Sequence, residues 1–348
     1  MFTHQRGGLV IGVDTHRDTH AYAVCDAATG QVIDQFTCPA TATGYAQAQQ
    51  RVAGAPGGVV WAIEGTGSYG HGLTRMLSNA GERVVEVDHP HKRARHGHGK
   101  TDAIDAHRAA QHVIAATHTA TPRHLQGPRE ALRVLMLARQ GATNTRTDAI
   151  RQARAIIIGL PDPIRAKLSG LRPDPLLKAC AGLRHGKSDP TTATILTALR
   201  AIARRGITAT IEADTHKHEI TRITADMNPE LLTQTGVGPI TAATLLIAWS
   251  HPGRLRSEAC FARLAGVAPI PASSGITNRH RLDRGGDRKL NSALHTITLT
   301  RARRDPATIT YIQKRMALGN TRRDAIRSLK RHIARSLFRL MERTPTTG

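Results

Sequence analysis

The sequence predicts an α/β amino-terminal domain with a mixed sheet, a helical connector and a mainly α-helical carboxyl-terminal domain. Three observations support this fold class. Short β-branched runs alternate with helical segments in residues 1–127, and residues 128–228 are rich in Ala, Leu and Arg with a helical period. Residues 229–348 return to helices around glycine-rich loops. A chain of 348 residues is long enough for two or three domains, each with its own core.

The first domain opens with three clustered strands, which a turn at Gly30 helps to join into a meander. Strands and helices then alternate, which favours a mixed sheet. The expected bounds are 9–13, 21–25 and 31–36 for the three strands, 41–54 for a helix, 58–63 for a strand, 68–80 for a helix, 83–88 for a strand and 101–115 for a helix. Thr101 is expected to cap the last helix.

The other two parts are predicted to be helical. Prolines near 161, 173–175 and 190 interrupt the middle region, and its long helical runs predict a connector or coiled-coil arm that pairs subunits. Thr235–Leu245 resembles a helix-hairpin-helix whose turn would offer backbone N–H groups to a phosphate, although a helix pair with a packing role explains it equally well. At the carboxyl terminus, an apolar stripe is expected to be core, and its members are Ile326, Leu329, Ile333 and Leu337.

Charge is distributed unevenly along the chain. Lys and Arg number 49 against 26 Asp and Glu, which gives a net charge of +23 and a pI of about 11.2. Residues 1–110 hold ten basic and ten acidic residues, whereas residues 276–348 hold eighteen and five. A GC-rich genome would raise the arginine content throughout the chain, so it does not explain why residues 1–110 are neutral. The excess predicts a polyanionic partner, nucleic acid before acidic membrane, with carboxylate chemistry in front and phosphate binding behind.

Several protein classes are disfavoured by the sequence. No apolar run approaches the roughly 18 residues of a membrane span, and Met1–Gly8 lacks the apolar core of a secretory signal. The four cysteines are scattered, which argues against a zinc ribbon or a disulfide framework. We therefore expect a cytoplasmic protein with no membrane partner.

Four carboxylates occupy positions suited to a metal site. Asp14 and Glu64 each end a predicted strand, where open α/β sheets collect ligands. Asp102 and Asp105 lie three apart on one helix face. Together they would hold two hard cations, which activate the attacking oxygen and stabilise the leaving oxygen at a phosphodiester. Taken singly, Asp14 also fits a turn and Asp102 a first-turn helix charge.

Three motifs around these acids resemble the DEDD motifs of a bacterial transposase family, insertion-sequence family 110: Gly12–His16 (GVDTH), Glu64–Tyr69 (EGTGSY) and Lys100–Ala106 (KTDAIDA). The resemblance implies a RuvC-like domain of the RNase H type. It also implies that the four acids coordinate two Mg²⁺ or Mn²⁺ ions.

The resemblance continues into the carboxyl-terminal domain, where the family carries a catalytic serine before a glycine. Ser274 is the match and Ser273 the alternative. The family's chemistry implies that the serine hydroxyl attacks a DNA phosphodiester and forms a phosphoserine link. On the residues alone, a Ser-Ser-Gly loop is usually a turn, and no His or Lys stands at a spacing that marks it as the serine's base.

Basic residues around these sites are candidates for contact with nucleic acid: Lys100, Arg279, Arg281, Arg284, Arg288 and Lys289. A nearby histidine group contains His89, His91, His96 and His98. Basic neighbours would repel a cation there, so we expect a loop that contacts nucleic acid rather than a metal site.

The sequence thus predicts a transposase or DNA recombinase that mobilises an insertion sequence with a serine nucleophile and divalent metal. The resemblance implies donor and target DNA, a structured guide RNA encoded by the element, a homodimer or tetramer, and a place at the bacterial nucleoid. Two alternatives stay open. One is a RuvC-like nuclease or Holliday-junction resolvase that uses water, and the other is a nucleic-acid-binding protein without catalysis.

Overall fold

A computed structural model describes residues 8–87, 101–117, 119–184, 189–271, 280–283 and 285–343. The chain forms two compact units. The amino-terminal unit contains the residues up to Arg129 together with Trp249–Leu264, and the carboxyl-terminal unit contains Glu130–Ala248 and the residues from Ala265 onward. The expected divisions at 127/128 and 228/229 fall at the start of a long helix and between two helices, and the three-domain scheme stays a prediction.

The amino-terminal unit is built on a six-stranded mixed sheet. Its strands are β1 (Leu9–Thr15), β2 (Thr19–Asp26), β3 (Val32–Pro39), β4 (Val59–Glu64), β5 (Arg83–Val87) and β6 (Thr119–Ala120). The spatial order is β3-β2-β1-β4-β5-β6, in which β4 runs parallel to β1 and β5 while the other neighbouring pairs are antiparallel. The predicted mixed sheet and its first five strands are confirmed. The two-residue β6 is too short to show a period.

Helices cover both faces of this sheet. They are α1 (Ala42–Arg51), α2 (His71–Asn79) and α3 (Asp102–Ile114). Because successive strand side chains point to opposite faces, Ile11 of β1 packs in one cluster with Trp61 and with Leu73 of α2. Val10 packs in the opposite cluster with Ala110 of α3. The predicted helices are confirmed, including Thr101 as the N-cap of α3.

The rest of the described chain is mostly helical. Its helices are α4 (Gly127–Ile158), α5 (Asp162–Leu168), α6 (Pro173–Ala181), α7 (Pro190–Met227), α8 (Pro229–Thr233), α9 (Pro239–Trp249), α10 (Glu258–Leu264), α11 (Arg288–Arg304), α12 (Pro306–Ala317) and α13 (Arg322–Arg343). One antiparallel pair, β7 (Pro269–Pro271) and β8 (His280–Leu282), precedes α11. None of the described helices is long and apolar enough to span a bilayer.

The carboxyl-terminal unit contains two packing regions among its described helices. In the first, α4 to α7 share one apolar cluster. Helix α7 approaches α4 and α6 so closely that a Cβ on Gly206 would lie 3.0 Å from both Ala149 and Leu177. In the second, α11, α12 and α13 pack together. The predicted stripe on α13 is buried at Leu329, Ile333 and Leu337. The expectation for Ile326 is wrong, since its side chain is half-buried and faces a cavity.

Candidate metal centre

Parallel pairing of β1 with β4 sets Asp14 beside Glu64. The register pairs Val13 with Ile63, so the two acids take the next position on neighbouring strands. Thr15 Oγ1 also donates a hydrogen bond of 2.9 Å to the Glu64 carbonyl oxygen. Glu64 is 9% exposed and Asp14 is partly buried. Both acids therefore lie at the carboxyl-terminal edge of the sheet, as their places at strand ends predict.

Helix α3 brings Asp102 to the same edge. Thr101 has an extended backbone, and its Oγ1 accepts a hydrogen bond of 3.4 Å from the Ile104 N–H, so the helix begins at Asp102. The helix can approach β1 because Gly12 has no side chain: a Cβ there would stand 1.8 Å from the carbonyl oxygen of Ala106. The close contact of backbone with backbone fixes where the first turn of α3 lies.

His16 completes the cluster. Its Nε2 lies 3.1 Å from Asp14 Oδ2 and 3.4 Å from Asp102 Oδ1. One ligand atom from each of Asp14, His16 and Asp102 lies within 4.8 Å of the others, so the three side chains are close enough to hold one metal ion. His16 was not among the site residues predicted from the sequence. The available signal was its position two residues after Asp14, since alternate residues of an extended chain share a face.

The surroundings of Asp14 disfavour its negative charge. Burial raises the pKa of Asp14 because removal from water disfavours the charged carboxylate. Contact with His16 lowers the pKa in part, whereas the negative charges of Asp105 and Asp102 raise it further. A divalent cation would relieve the repulsion among these carboxylates and suits their oxygen atoms. The residues therefore fit a hard metal ion.

The four predicted acids are not equivalent. Asp105 lies close enough for its negative charge to raise the pKa of Asp14. However, its Oδ1 is 2.9 Å from Nη1 of Arg108, one turn further along α3. Within the described part of the chain, the side chains close enough together to hold one metal ion are those of Asp14, His16 and Asp102. Glu64 and Asp105 do not belong to this group. The geometry thus brings together two predicted acids and one residue that was not predicted.

Two family models match the chain. Residues 11–159, which contain the whole cluster, match a model described as a transposase of the DEDD type of IS110. Residues 228–313 match a model described as "Transposase IS116/IS110/IS902 family". Both matched regions are thus similar to transposases of the IS116/IS110/IS902 family. Transposases are enzymes that cleave DNA and transfer its strands, and the DEDD type implies a divalent metal.

Two proteins of insertion elements are similar to this chain. The first is the "Insertion element IS110 uncharacterized 43.6 kDa protein" of Streptomyces coelicolor, 32% identical over 153 residues, which are 44% of this chain and 36% of that protein. The second is the "Insertion element IS900 uncharacterized 42 kDa protein" of Mycobacterium paratuberculosis, 27% identical over 82% of this chain and 83% of that protein. The match with the Streptomyces protein thus spans about a third of its length.

The remaining predicted site residues are described only in part. Arg288 and Lys289 are exposed in the first turn of α11, behind the Asp287 N-cap. Arg281 lies in β8, and its backbone alone is described. The following residues lie outside the described part of the chain: Lys100, Ser273, Ser274, Arg279, Arg284, and the histidines 89, 91, 96 and 98. Their predicted roles stay predictions.

Proposed function

We propose that this protein is a transposase that cuts and rejoins DNA to mobilise an insertion sequence. The observation that carries the proposal is the convergence of Asp14, His16 and Asp102 at the carboxyl edge of the sheet, inside the region matched by the DEDD model. A binding protein without catalysis has no need for a half-buried carboxylate, Asp14, whose pKa is raised by burial and by two neighbouring acids.

We assign the metal ligands to the predicted acids Asp14, Glu64, Asp102 and Asp105. His16 contacts two of them and either shares in ligation or orients them. Mg²⁺ is the preferred ion because most of the donors are carboxylate oxygens, and the proposed site holds two such ions. Bound divalent cations would stabilise negative charge on the oxygens of the phosphodiester under attack. In this RNase H-like arrangement, Asp105 gives up part of its ion pair with Arg108 when it acts as a ligand.

Ser274 is proposed as the nucleophile of the reaction. Its Oγ loses its proton and attacks the phosphorus, so that a bond from serine oxygen to phosphorus forms. The bond from phosphorus to the DNA oxygen breaks, and that oxygen leaves as a hydroxyl after it takes up a proton. In rejoining, a hydroxyl of the partner strand attacks the phosphoserine and releases the serine. Support comes from the match of residues 228–313 to the family model, which includes this position.

The decisive experiment maps the covalent adduct on DNA. Protein is incubated with Mg²⁺ and a labelled element end, then denatured and digested, and mass spectrometry locates the residue that carries the nucleotide. We expect phosphoserine at 274, with no adduct in Ser274→Ala and an unchanged yield in the control Ser273→Ala. Strand cleavage that persists in Ser274→Ala would instead favour the water-using nuclease. Activity that persists in Asp102→Asn, with Asp18→Asn as the exposed-acid control, would contradict the metal assignment.

We also propose that the protein acts as a homodimer or tetramer on donor and target DNA in the bacterial nucleoid, guided by a structured RNA of the element. Exposed apolar side chains on the long helices support pairing: Val134 and Leu137 of α4 are 49% and 59% exposed, and Ile211 of α7 is 63% exposed. The net charge of +23 supports the binding of polyanions. Treatment of the purified complex with RNase tests the guide. If an RNA directs the protein, RNase as well as DNase should abolish the selection of the target DNA.

A further inference from the structure

The carboxyl-terminal unit contains a cavity of about 980 Å³ that has no part in the metal centre. Its walls are the 266–269 loop, the first turns of α11 and α13, and the end of α12. Among the described residues that line it, seven are Lys or Arg and two are Asp. Such an excess of positive charge in one concave site predicts an anionic ligand.

Few of these positive charges are neutralised by other described residues of the protein. Arg327 Nη1 pairs with Asp324 Oδ1 at 3.1 Å, and Asp324 also accepts a hydrogen bond from Thr321 Oγ1. Four other arginines of the cavity form no ion pair with any described residue: Arg288, Arg322, Arg323 and Arg331. Their guanidinium groups remain for a ligand, and the planar guanidinium suits phosphate oxygens.

Lys330 is the lysine fixed in place at this cavity. Its Nζ donates a hydrogen bond of 2.7 Å to Asn291 Oδ1. The Nδ2 of Asn291 in turn donates to the carbonyl oxygens of Ala265 and Gly266, at 2.7 and 3.3 Å. This chain of hydrogen bonds ties α13 through α11 to the loop before β7. An ammonium group has three N–H donors, so Lys330 keeps donors for a ligand while Asn291 holds its position.

The surroundings of Lys330 disfavour its positive charge. Burial lowers the pKa of Lys330, and the nearby positive charge of Arg327 lowers it further. Both effects disfavour the ammonium form and would be offset by a phosphate in the cavity. A cation that is half-buried beside other cations costs stability, so its presence is easier to understand if an anion binds there.

The size and lining of the cavity indicate the kind of anion. A volume near 980 Å³ is at the upper end of pockets for small ligands, so it has room for a few nucleotides and not for a double helix. Val267, Pro269 and Ile326 add apolar surface to the lining, on which a sugar or base can pack. No Phe, Tyr or Trp is among the described lining residues, which favours contact with the backbone over stacking of bases.

We propose that this cavity binds the phosphodiester backbone of a single-stranded nucleic-acid segment, with Lys330 and Arg331 in contact with its phosphate oxygens. DNA and RNA share this backbone chemistry, and the experiment separates them. The site adds to the proposed function and depends neither on the metal ligands nor on Ser274. It also extends the predicted basic region beyond 279–289 to the first turns of α13.

The test measures the binding of short labelled strands to the full-length protein without divalent metal. Fluorescence anisotropy is recorded with oligo-dT, oligo-rU and a duplex, over a series of salt concentrations. The variants are Lys330→Met and Arg331→Gln, with Lys330→Arg to keep the charge. The matched control is Lys314→Met, an exposed lysine of α12 outside the cavity lining. Circular dichroism compares the thermal unfolding of all four.

We expect Lys330→Met and Arg331→Gln each to weaken single-strand binding about tenfold, as for removal of a hydrogen bond to a charged group. The slope of log affinity against log salt should fall by about 0.7 for each phosphate that the variant no longer neutralises. Lys330→Arg and Lys314→Met should bind as the unchanged protein does. A larger loss of affinity for dT than for rU identifies DNA as the occupant, the reverse identifies RNA, and an equal loss indicates a site that accepts either backbone.

Other results would overturn the proposal. Affinities and salt slopes of Arg331→Gln and Lys330→Met that equal those of Lys314→Met would exclude the cavity as a phosphate site. A loss of affinity confined to the duplex would refute the single-strand assignment. If the substitutions weaken the binding of a labelled poly-glutamate peptide and leave oligonucleotide binding unchanged, the cavity would instead take an acidic protein partner. If Lys330→Met unfolds, the change Arg331→Gln decides the matter alone.

Discussion

Substitution of Gly12 by Ala should damage the proposed metal centre without changing a proposed ligand. The added Cβ would lie 1.8 Å from the Ala106 carbonyl oxygen and 2.7 Å from the Ala110 nitrogen. Contacts under 3.0 Å are essentially not tolerated, so α3 must withdraw by about 1.2 Å or β1 must bend. Both atoms belong to the helix backbone, so no rotamer change can relieve the clash. The cost of such overpacking is typically about 1–3 kcal/mol.

The same displacement would move Asp102 away from Asp14. Metal ligands tolerate errors of only about 0.2 Å, and loss of a group that orients ligands costs about 10–100-fold in metal affinity. We expect Gly12→Ala to lower Mn²⁺ affinity by that order in titration calorimetry, together with a lower melting temperature. The control is Gly67→Ala, because a Cβ there meets nothing within 4 Å. Wild-type Mn²⁺ affinity in a folded Gly12→Ala protein would refute the claim that this contact places Asp102.

Three further predictions follow from the described contacts. Thr101→Ala should remove the N-cap of α3, lower the free energy of unfolding by about 1 kcal/mol and weaken Mn²⁺ binding. The control Thr41→Ala removes the N-cap of α1 and should lower the melting temperature alone. Equal Mn²⁺ affinities of the two variants would refute this. Leu137→Glu should reduce the oligomer size in sedimentation velocity, while Ile33→Glu, an equally exposed residue of β3, should not. The melting temperature should fall as the pH drops from about 6.5 towards 4, because burial lowers the pKa of His251 to about 4 in the folded protein while the unfolded chain still takes up the proton. His251→Asn should flatten this part of the dependence of melting temperature on pH. A dependence that this substitution leaves unchanged would contradict the prediction.

Most of the fold could be predicted because local signals decide it. Each β-branched run of the amino-terminal unit became a strand, and Thr101 caps its helix where the sequence places it. The prolines at 173 and 190 begin helices rather than break them, since the first turn of a helix needs no N–H from proline. Asp14 and Glu64 were found for a similar reason: a strand end is a local feature, and parallel neighbours bring such ends to one edge.

The contacts that shape the metal centre were harder to predict. Gly12 appears in the sequence as one more glycine in a strand, and only the packing of α3 shows that the missing side chain admits a helix backbone. The contact of His16 with Asp102 could not be predicted for a related reason, because Asp102 lies 86 positions further along the chain and only the spacing of His16 from Asp14 is a local signal. The ion pair of Asp105 with Arg108 is local, yet the four carboxylates were treated as equivalent. A site assembled from distant elements needs tertiary distances to rank its members.

The basic carboxyl-terminal region illustrates the same limit. The sequence predicts its net charge, which is +13 over residues 276–348. It also predicts the apolar stripe of α13, which is buried at Leu329, Ile333 and Leu337. It does not predict that Arg288 of α11 and Arg331 of α13 line one cavity, because the two residues are 43 positions apart. Convergence matters physically, since scattered exposed arginines are solvated and screened, whereas cations in one concave site raise the local potential and select an anion. Asn291 fixes Lys330 in a cavity where Arg288 and Arg331 form no ion pair with a described acid, which is a stronger argument for a ligand than the net charge of the whole chain.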